Sequence, residues 1–250
     1  MSGIYLFSST DWNKRMIDFR HTKLVVFDAD DTLWDCQNHF DKVEREYGRI
    51  LDPYRSEGQP APREALFDVE TRNMSLLGYG CKAFTISLIE NAIEYSCHRI
   101  SASEMERIIE LGKTLLELPG TPLEGVEDTV RELHGLHRYR MVVFTKGEIL
   151  DQENKLRRSG LLPYFDDVVV VSDKTPESYR KLCAGHGVEL EEMVMIGNSF
   201  KSDIVPVLEL GGNAIYIPFD AVWQHEVVDE YDHSRLCRVG RFSEILACLK

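Results

Sequence analysis

No stretch of this 250-residue chain approaches the apolar length needed to cross a bilayer, which is about 20 residues for a helix. Positive charge is scarce as well: 29 lysines and arginines stand against 42 aspartates and glutamates, a formal net charge of −13. That balance argues against extended contact with nucleic acid or an anionic membrane, both of which would be repelled unless a local basic patch intervened. The six cysteines (Cys36, Cys81, Cys97, Cys183, Cys237 and Cys248) lack the paired spacing of a metal site, and Asp11, Lys14 and Arg15 break up any secretory pattern at the N-terminus. They read as free thiols, and the expected location is the cytoplasm. Internal repeats and long low-complexity segments are also missing. What remains, at 43% hydrophobic residues, is a chain able to bury a sizeable core.

Five continuous apolar runs read as strands: Leu24 to Asp28, Arg140 to Thr145, Asp167 to Ser172, Met193 to Gly197 and Asn213 to Ile217. None alternates polar with apolar, so each is expected to be buried on both faces, as in a parallel sheet covered by helices. From Val126 onward the runs alternate with helical patterns, which predicts a doubly wound α/β fold. Helix signals fall between them, with Pro176 near a start, Gly160 after Glu148 to Ser159, and Gly211-Gly212 after Ser202 to Leu210. The tail beyond Asp220 is expected to add a short edge strand near Arg238 to Phe242 and a final helix over Ser243 to Leu249.

Between Trp34 and Leu118 the β-rich runs disappear and helical periodicity takes over. Lys82 to Arg99 sets Phe84, Leu88, Ala92 and Tyr95 along one face. Ser101-Ala102-Ser103-Glu104 forms a capping box ahead of Met105, Ile108, Ile109 and Leu116. Gly58-Gln59-Pro60-Ala61-Pro62 separates earlier helices, and Pro119-Gly120-Thr121-Pro122 returns the chain to the sheet. The expected division is an α/β core from residues 1–34 and 119–250, with an all-helical insertion over 35–118. His134 and His137 read as a solvated helix face.

In open α/β sheets ligands bind beyond the carboxyl ends of the strands, so the residues that end each run carry the chemistry. The first run ends in Asp28-Ala29-Asp30-Asp31-Thr32-Leu33. Carboxylates this close repel and lose hydration in a cleft, so a fold keeps them together only if a cation neutralises them or one is protonated. A divalent metal answers that requirement and points to phosphate chemistry. The second run ends in Thr145-Lys146-Gly147, the third leads to Lys174, and the fourth gives Gly197-Asn198-Ser199-Phe200-Lys201-Ser202-Asp203. A phosphoryl transition state spreads negative charge over its equatorial oxygens, and such a set offers the fixed donors, cation and metal carboxylates that stabilise it. Oxygen ligands favour Mg²⁺ over softer metals. Asp31 reads as a turn acid, and Cys36 as a small buried apolar residue.

With "VVFDADDTLW", "VVFTKG", "DKTPESYRKL" and "GNSFKSD" in this order, the chain resembles the phosphatases of the haloacid dehalogenase superfamily over roughly Leu24 to Phe219. The resemblance implies that Asp28 is the nucleophile that becomes an aspartyl phosphate, and that Asp30 protonates the leaving oxygen and then activates water. It implies that Thr145 and Lys174 hold the transferring phosphoryl oxygens, with Lys146 and Gly147 beside them. It also implies Mg²⁺ on Asp28, the carbonyl of Asp30 and Asp203, with Asn198 standing where many members carry an aspartate. The insertion matches a helical cap that closes over the site and selects small leaving groups. Trp34 and Asp35 lie at its hinge, Trp34 being a candidate for touching the leaving group, and Arg72, Tyr79 and Lys82 are cap candidates for substrate contact. The expected activity is Mg²⁺-dependent hydrolysis of a small phosphate ester of the sugar phosphate, nucleotide or phosphoglycolate type, with no nucleic-acid or membrane partner and no oligomeric state assigned. The alternatives are a 2-haloacid dehalogenase, a phosphotransferase or mutase, and a non-catalytic binding protein.

Overall fold

The computed structural model describes residue 17 and residues 19–250. The expected absence of a secretory pattern around Asp11, Lys14 and Arg15 lies outside them. Strands β1 (Leu24–Phe27), β2 (Arg140–Lys146), β3 (Asp167–Val171), β4 (Met193–Gly197), β5 (Asn213–Tyr216) and β6 (Leu236–Arg238) form a six-stranded sheet in the order β3-β2-β1-β4-β5-β6. Every pairing is parallel. The order reverses at β1, between β2 on one side and β4 on the other, which opens a crevice beyond the end of β1.

Continuous apolar runs suit this sheet because successive residues serve opposite layers. Val25 and Phe27 pack with Val126 and Val130 of α5 (Val126–Gly135), Leu156 of α6 (Ile149–Ser159) and Ile245 of α9 (Ile245–Leu249). Leu24 and Val26 pack instead with Tyr179 and Leu182 of α7 (Pro176–His186) and Val207 of α8 (Val205–Glu209). β3 departs from the expected two-sided burial: it is an edge strand, and its valines are only half-buried. The C-terminal edge strand is β6, two residues earlier than the sequence suggests, and the final helix begins two residues later than expected because Phe242–Glu244 forms a tight 3₁₀ turn first. His137 lies past the end of α5, at φ +50°.

Four helices stand between β1 and α5: α1 (Gln37–Leu51), α2 (Pro62–Leu77), α3 (Cys81–Tyr95) and α4 (Ala102–Leu116). They share a core of their own, built on Tyr47, Leu66, Phe84, Leu88, Ile108 and Leu115. Phe84, Leu88, Ala92 and Tyr95 of α3 are all buried, as their spacing predicts. Within that core the Tyr47 hydroxyl donates to the Leu88 carbonyl at 3.1 Å and accepts from Asn91 Nδ2 at 2.7 Å, so its polar atom is satisfied. The capping box forms at α4: Ser101 Oγ accepts from the Glu104 amide at 3.2 Å and Glu104 Oε2 accepts from the Ser101 amide at 3.0 Å. The two connections to the sheet run side by side. Trp34 bridges Pro122, and the Leu123 amide donates to the Leu33 carbonyl at 2.9 Å.

Candidate active site

Asp28 follows β1 directly, and its amide continues the sheet ladder by donating to the Ile196 carbonyl at 2.9 Å. Its side chain is buried at the crevice between β1 and β4. Lys174, from the loop after β3, reaches across to it: Nζ lies 2.5 Å from Asp28 Oδ1 and 2.6 Å from Asp203 Oδ1. Burial works against charge on Lys174, but the two facing carboxylates outweigh it and hold the ammonium above its ordinary range. Burial also pushes the Asp203 carboxyl up, reinforced by the Asp28 charge and opposed by Lys174. One lysine between two carboxylates leaves this group net negative when both are ionised.

Asp203 is delivered by a π-helical turn, Phe200–Ile204, instead of the α-helix the sequence suggests from Ser202. The wider turn lets Ser199 clamp it. The Ser199 amide donates to Asp203 Oδ2 at 3.0 Å, and the Asp203 amide donates back to the Ser199 carbonyl at 2.8 Å. Gly197 makes room, since a Cβ at that position would come within 2.2 Å of Asp203 Oδ2. Asn198 sits beside them. Thr32 Oγ1 lies 2.9 Å from Asp28 Oδ2 and 3.1 Å from Asn198 Oδ1, and accepts from the Asn198 amide. A threonine has one proton to give, so one of those two oxygens is left for another partner.

Asp30 points the other way, toward α6. Its carboxylate accepts from Lys155 Nζ at 2.7 and 2.9 Å, from Gln152 Nε2 at 2.7 Å and from Trp34 Nε1 at 2.7 Å. Burial would raise its carboxyl, but the charge and hydrogen bond of Lys155, with those of Gln152 and Trp34, hold it below the ordinary range. Lys155 is itself buried and also faces Asp151 at 3.3 Å. Asp31 is structural: at φ +62°, its Oδ1 accepts from the amides of Cys36 and Gln37 at 2.7 and 2.9 Å, capping the start of α1. Burial, with the charges of Asp30 and Asp28, pushes its carboxyl up to about 7 against those two bonds.

Asp28, Asp30, Thr145, Lys146, Gly147, Lys174, Asn198 and Asp203 all line one cavity of about 340 Å³ between the sheet and the helical layer. Trp34 does not: it is buried in the core behind Asp30, with its indole N–H spent on that carboxylate. Lys146 is engaged by Ser202 Oγ at 2.9 Å and Glu226 Oε1 at 2.5 Å, and lies 4.4 Å over the Tyr79 ring. Of the cap candidates, Tyr79 reaches the cavity, Arg72 pairs with Glu94 on the surface, and Lys82 pairs with Glu148 at the base of α6. Cys36 is buried on the cavity wall, and burial, with the charge of Asp30, pushes its thiol up.

Sequence reasoning missed Lys155, Gln152, Thr32 and Glu226. The signal at α6 is an inverted pattern, in which Asp151, Gln152 and Lys155 face inward while Ile149 and Leu150 are exposed. Glu226 lies in an irregular segment after β5, where no periodicity marks it.

Among the described residues no three His, Cys, Asp or Glu side chains form a metal-binding group. The available donors are two carboxylates, on Asp28 and Asp203, the amide oxygen of Asn198 and the backbone carbonyl of Asp30. They are all hard oxygens around a net-negative group, a set whose chemistry fits Mg²⁺.

A family model described as a haloacid dehalogenase-like hydrolase matches residues 22–207. The chain belongs to this family. A haloacid dehalogenase-like hydrolase from Xanthomonas campestris, of solved structure, is 36% identical with a TM-score of 0.79, covering 91% of this chain and 92% of that one. A glyceraldehyde 3-phosphate phosphatase from Methanothermobacter thermautotrophicus is 27% identical over 203 residues, 78% of this chain and 85% of that protein. A 2-haloacid dehalogenase from Pseudomonas syringae shares the fold at 20% identity, with a TM-score of 0.61 over 91% of this chain and 98% of that one. Among the described residues of this family member, no helix is long and apolar enough to cross a membrane.

Proposed function

We propose that this hydrolase is a Mg²⁺-dependent phosphatase of small phosphate monoesters, acting through a phosphorylated Asp28, with residues 35–118 as its cap domain. The observation that carries the reading is the Lys174 ammonium shared by Asp28 and Asp203 at the mouth of β1, with Thr145 and Asn198 on the same cavity. The relative named as a phosphatase supports the same class.

In this reading Asp28 attacks phosphorus, the bond from phosphorus to the ester oxygen breaks, and Asp30 delivers a proton to the departing oxygen. Water then attacks the aspartyl phosphate while Asp30 takes up its proton, and the bond to Asp28 breaks to release inorganic phosphate. Lys155 favours the ionised form of Asp30, the form that the second half requires, and the proton that Asp30 takes from water in that half is the one it delivers in the next turnover. Lys174 balances the anionic oxygens and aligns Asp28, and Thr145 donates to the transferring group. Asp28, Asp203, Asn198 and the carbonyl of Asp30 would hold Mg²⁺. When bound, the ion supplies the positive charge that lets two anions approach.

The test is phosphate release from a panel of monoesters with and without Mg²⁺, in the parent and in Asp28→Asn. Release that needs Mg²⁺ and disappears in the variant is expected. Release that survives chelation or Asp28→Asn, or halide release from a 2-haloacid in the presence of chelator, would overturn the assignment.

A further inference from the structure

The cavity above Asp28 has an unusual division of labour. Its three lysines are already matched to carboxylates of the chain: Lys174 to Asp28 and Asp203, Lys155 to Asp30 and Asp151, and Lys146 to Glu226. No arginine is among the lining residues, and of the further acids on the same space Glu230 is already paired with Arg238. Gln37, Asn73 and Ser87 add polar groups on the helical side, but the larger part of the wall is apolar, with Phe40, Met74, Tyr79, Phe84, Val222 and Trp223 in it.

Two of these aromatics come from opposite sides. Tyr79 is carried by the turn between α2 and α3, flanked by Gly78 at φ +71° and Gly80 at φ +128°. Trp223 comes from the segment after β5. Their rings meet edge to face at 5.8 Å. Trp223 is backed by His225 at 4.7 Å, and His225 is stacked on Phe67 of α2 at 4.1 Å. Tyr79 is linked to the reacting end, since Lys146 lies over its ring and bonds Ser202, the neighbour of Asp203.

From this wall we infer that the phosphatase acts on monoesters whose leaving group is uncharged and carries an aromatic or comparably flat apolar body, seated against the paired rings of Tyr79 and Trp223. The inference rests on the reading of the site as a phosphatase and narrows its substrate class. A second carboxylate or phosphate on the substrate would meet no unmatched lysine or arginine, which disfavours phosphoglycolate and bisphosphates. A polyol would bring hydroxyls to a wall whose larger part is apolar. A ring gains by leaving water, and a cavity of about 340 Å³ has room for a phosphate with one ring beside it.

The test compares 2-phenylethyl phosphate with glycerol 3-phosphate and phosphoglycolate on the Mg²⁺-loaded protein. All three esters release alcohols and none is an activated aryl ester, so the comparison reads binding of the leaving group. A kcat/KM for the phenylethyl ester at least about tenfold above both others is expected, on the scale of burying one ring. Trp223→Ala and Tyr79→Ala should each collapse that ratio toward one, and Trp223→Phe should preserve most of it. If glycerol 3-phosphate or phosphoglycolate is hydrolysed as well as or better than the aromatic ester, the inference fails while the phosphatase reading stands. If the ratio is present but unmoved by either alanine variant, the seat against Tyr79 and Trp223 is wrong. If no ester releases phosphate, both readings fall together.

Discussion

Replacing Lys155 with methionine keeps the volume of the side chain and removes its charge from a buried position. The ammonium lies 2.7 and 2.9 Å from the two oxygens of Asp30 and 3.3 Å from Asp151. At those separations a pair of unit charges attracts by about 6 kcal/mol with an effective dielectric of about 20. The cost of burying the ions opposes much of this, and breaking one partner of a buried pair typically costs about 3–5 kcal/mol. The Asp30 side chain keeps 29% exposure and can recover some hydration, whereas Asp151 keeps 4%. The expected loss is therefore about 3 kcal/mol at neutral pH, the low end of that range. In urea, with a slope of about 3 kcal/mol/M for a chain of this size, the midpoint should fall by about 1 M. Adding Asp151→Asn should restore about a third of the loss, because one of the two stranded carboxylates is gone. A midpoint within about 0.2 M of the parent, or no recovery in the double variant, would refute the assignment of Lys155 as the counter-charge.

Gly197→Ala would place a methyl 2.2 Å from Asp203 Oδ2, so the carboxylate must move; phosphatase activity should fall at least about tenfold, with a loss of roughly 2 kcal/mol or more on urea unfolding. Asp31→Ala loses both bonds to the start of α1 while keeping a left-handed backbone, and should cost about 2–3 kcal/mol; Asp31→Gly, relieved of the backbone penalty, should cost about 1 kcal/mol less in thermal unfolding. Glu70 in the helical layer has its carboxyl pushed up to about 8 by burial, with the charge of Glu44 adding to it and Arg63 opposing. A carboxyl raised on folding favours the folded state when protonated, so its contribution is complete below the ordinary range and is lost as pH rises toward 8. Glu70→Gln should then unfold at higher temperature than the parent at pH 8, by about 2–4 kcal/mol in stability, and show little difference at pH 4; equal curves at pH 8 would count against the shift.

The sheet was legible because burial on both faces leaves a signature in consecutive residues: the runs around Val25, Val142 and Val194 are apolar without interruption. β3 misled because an edge strand can carry the same valines while being covered on fewer sides. The helical layer was legible where apolar positions recur at helical spacing, as in Phe84, Leu88, Ala92 and Tyr95. Asp28, Asp203 and Lys174 stood out because each follows the end of a strand, a position fixed by topology. The support around Asp30 was not legible in the same way. Trp34 is a large apolar residue beside a motif, and its sequence neighbourhood fits a cavity wall as well as a core position; only the placement of α6 brings Lys155 and Gln152 to the far side of Asp30 and closes Trp34 behind it. Glu226 and Trp223 belong to a segment whose path depends on contacts with α2 and the turn at Tyr79, so no local pattern announces them.

The paired crossing at Trp34 and Pro122 has a consequence for how such a molecule can change. Because the outgoing and returning chains leave the sheet at a single point and are joined there by a backbone bond, everything between them hangs from the framework as a pendant with adjacent ends. Such a pendant can be lengthened, trimmed or exchanged without rerouting a strand. Asp28 and Asp203 stay with the framework, while Phe40, Met74, Tyr79 and Phe84 on the same cavity travel with the pendant.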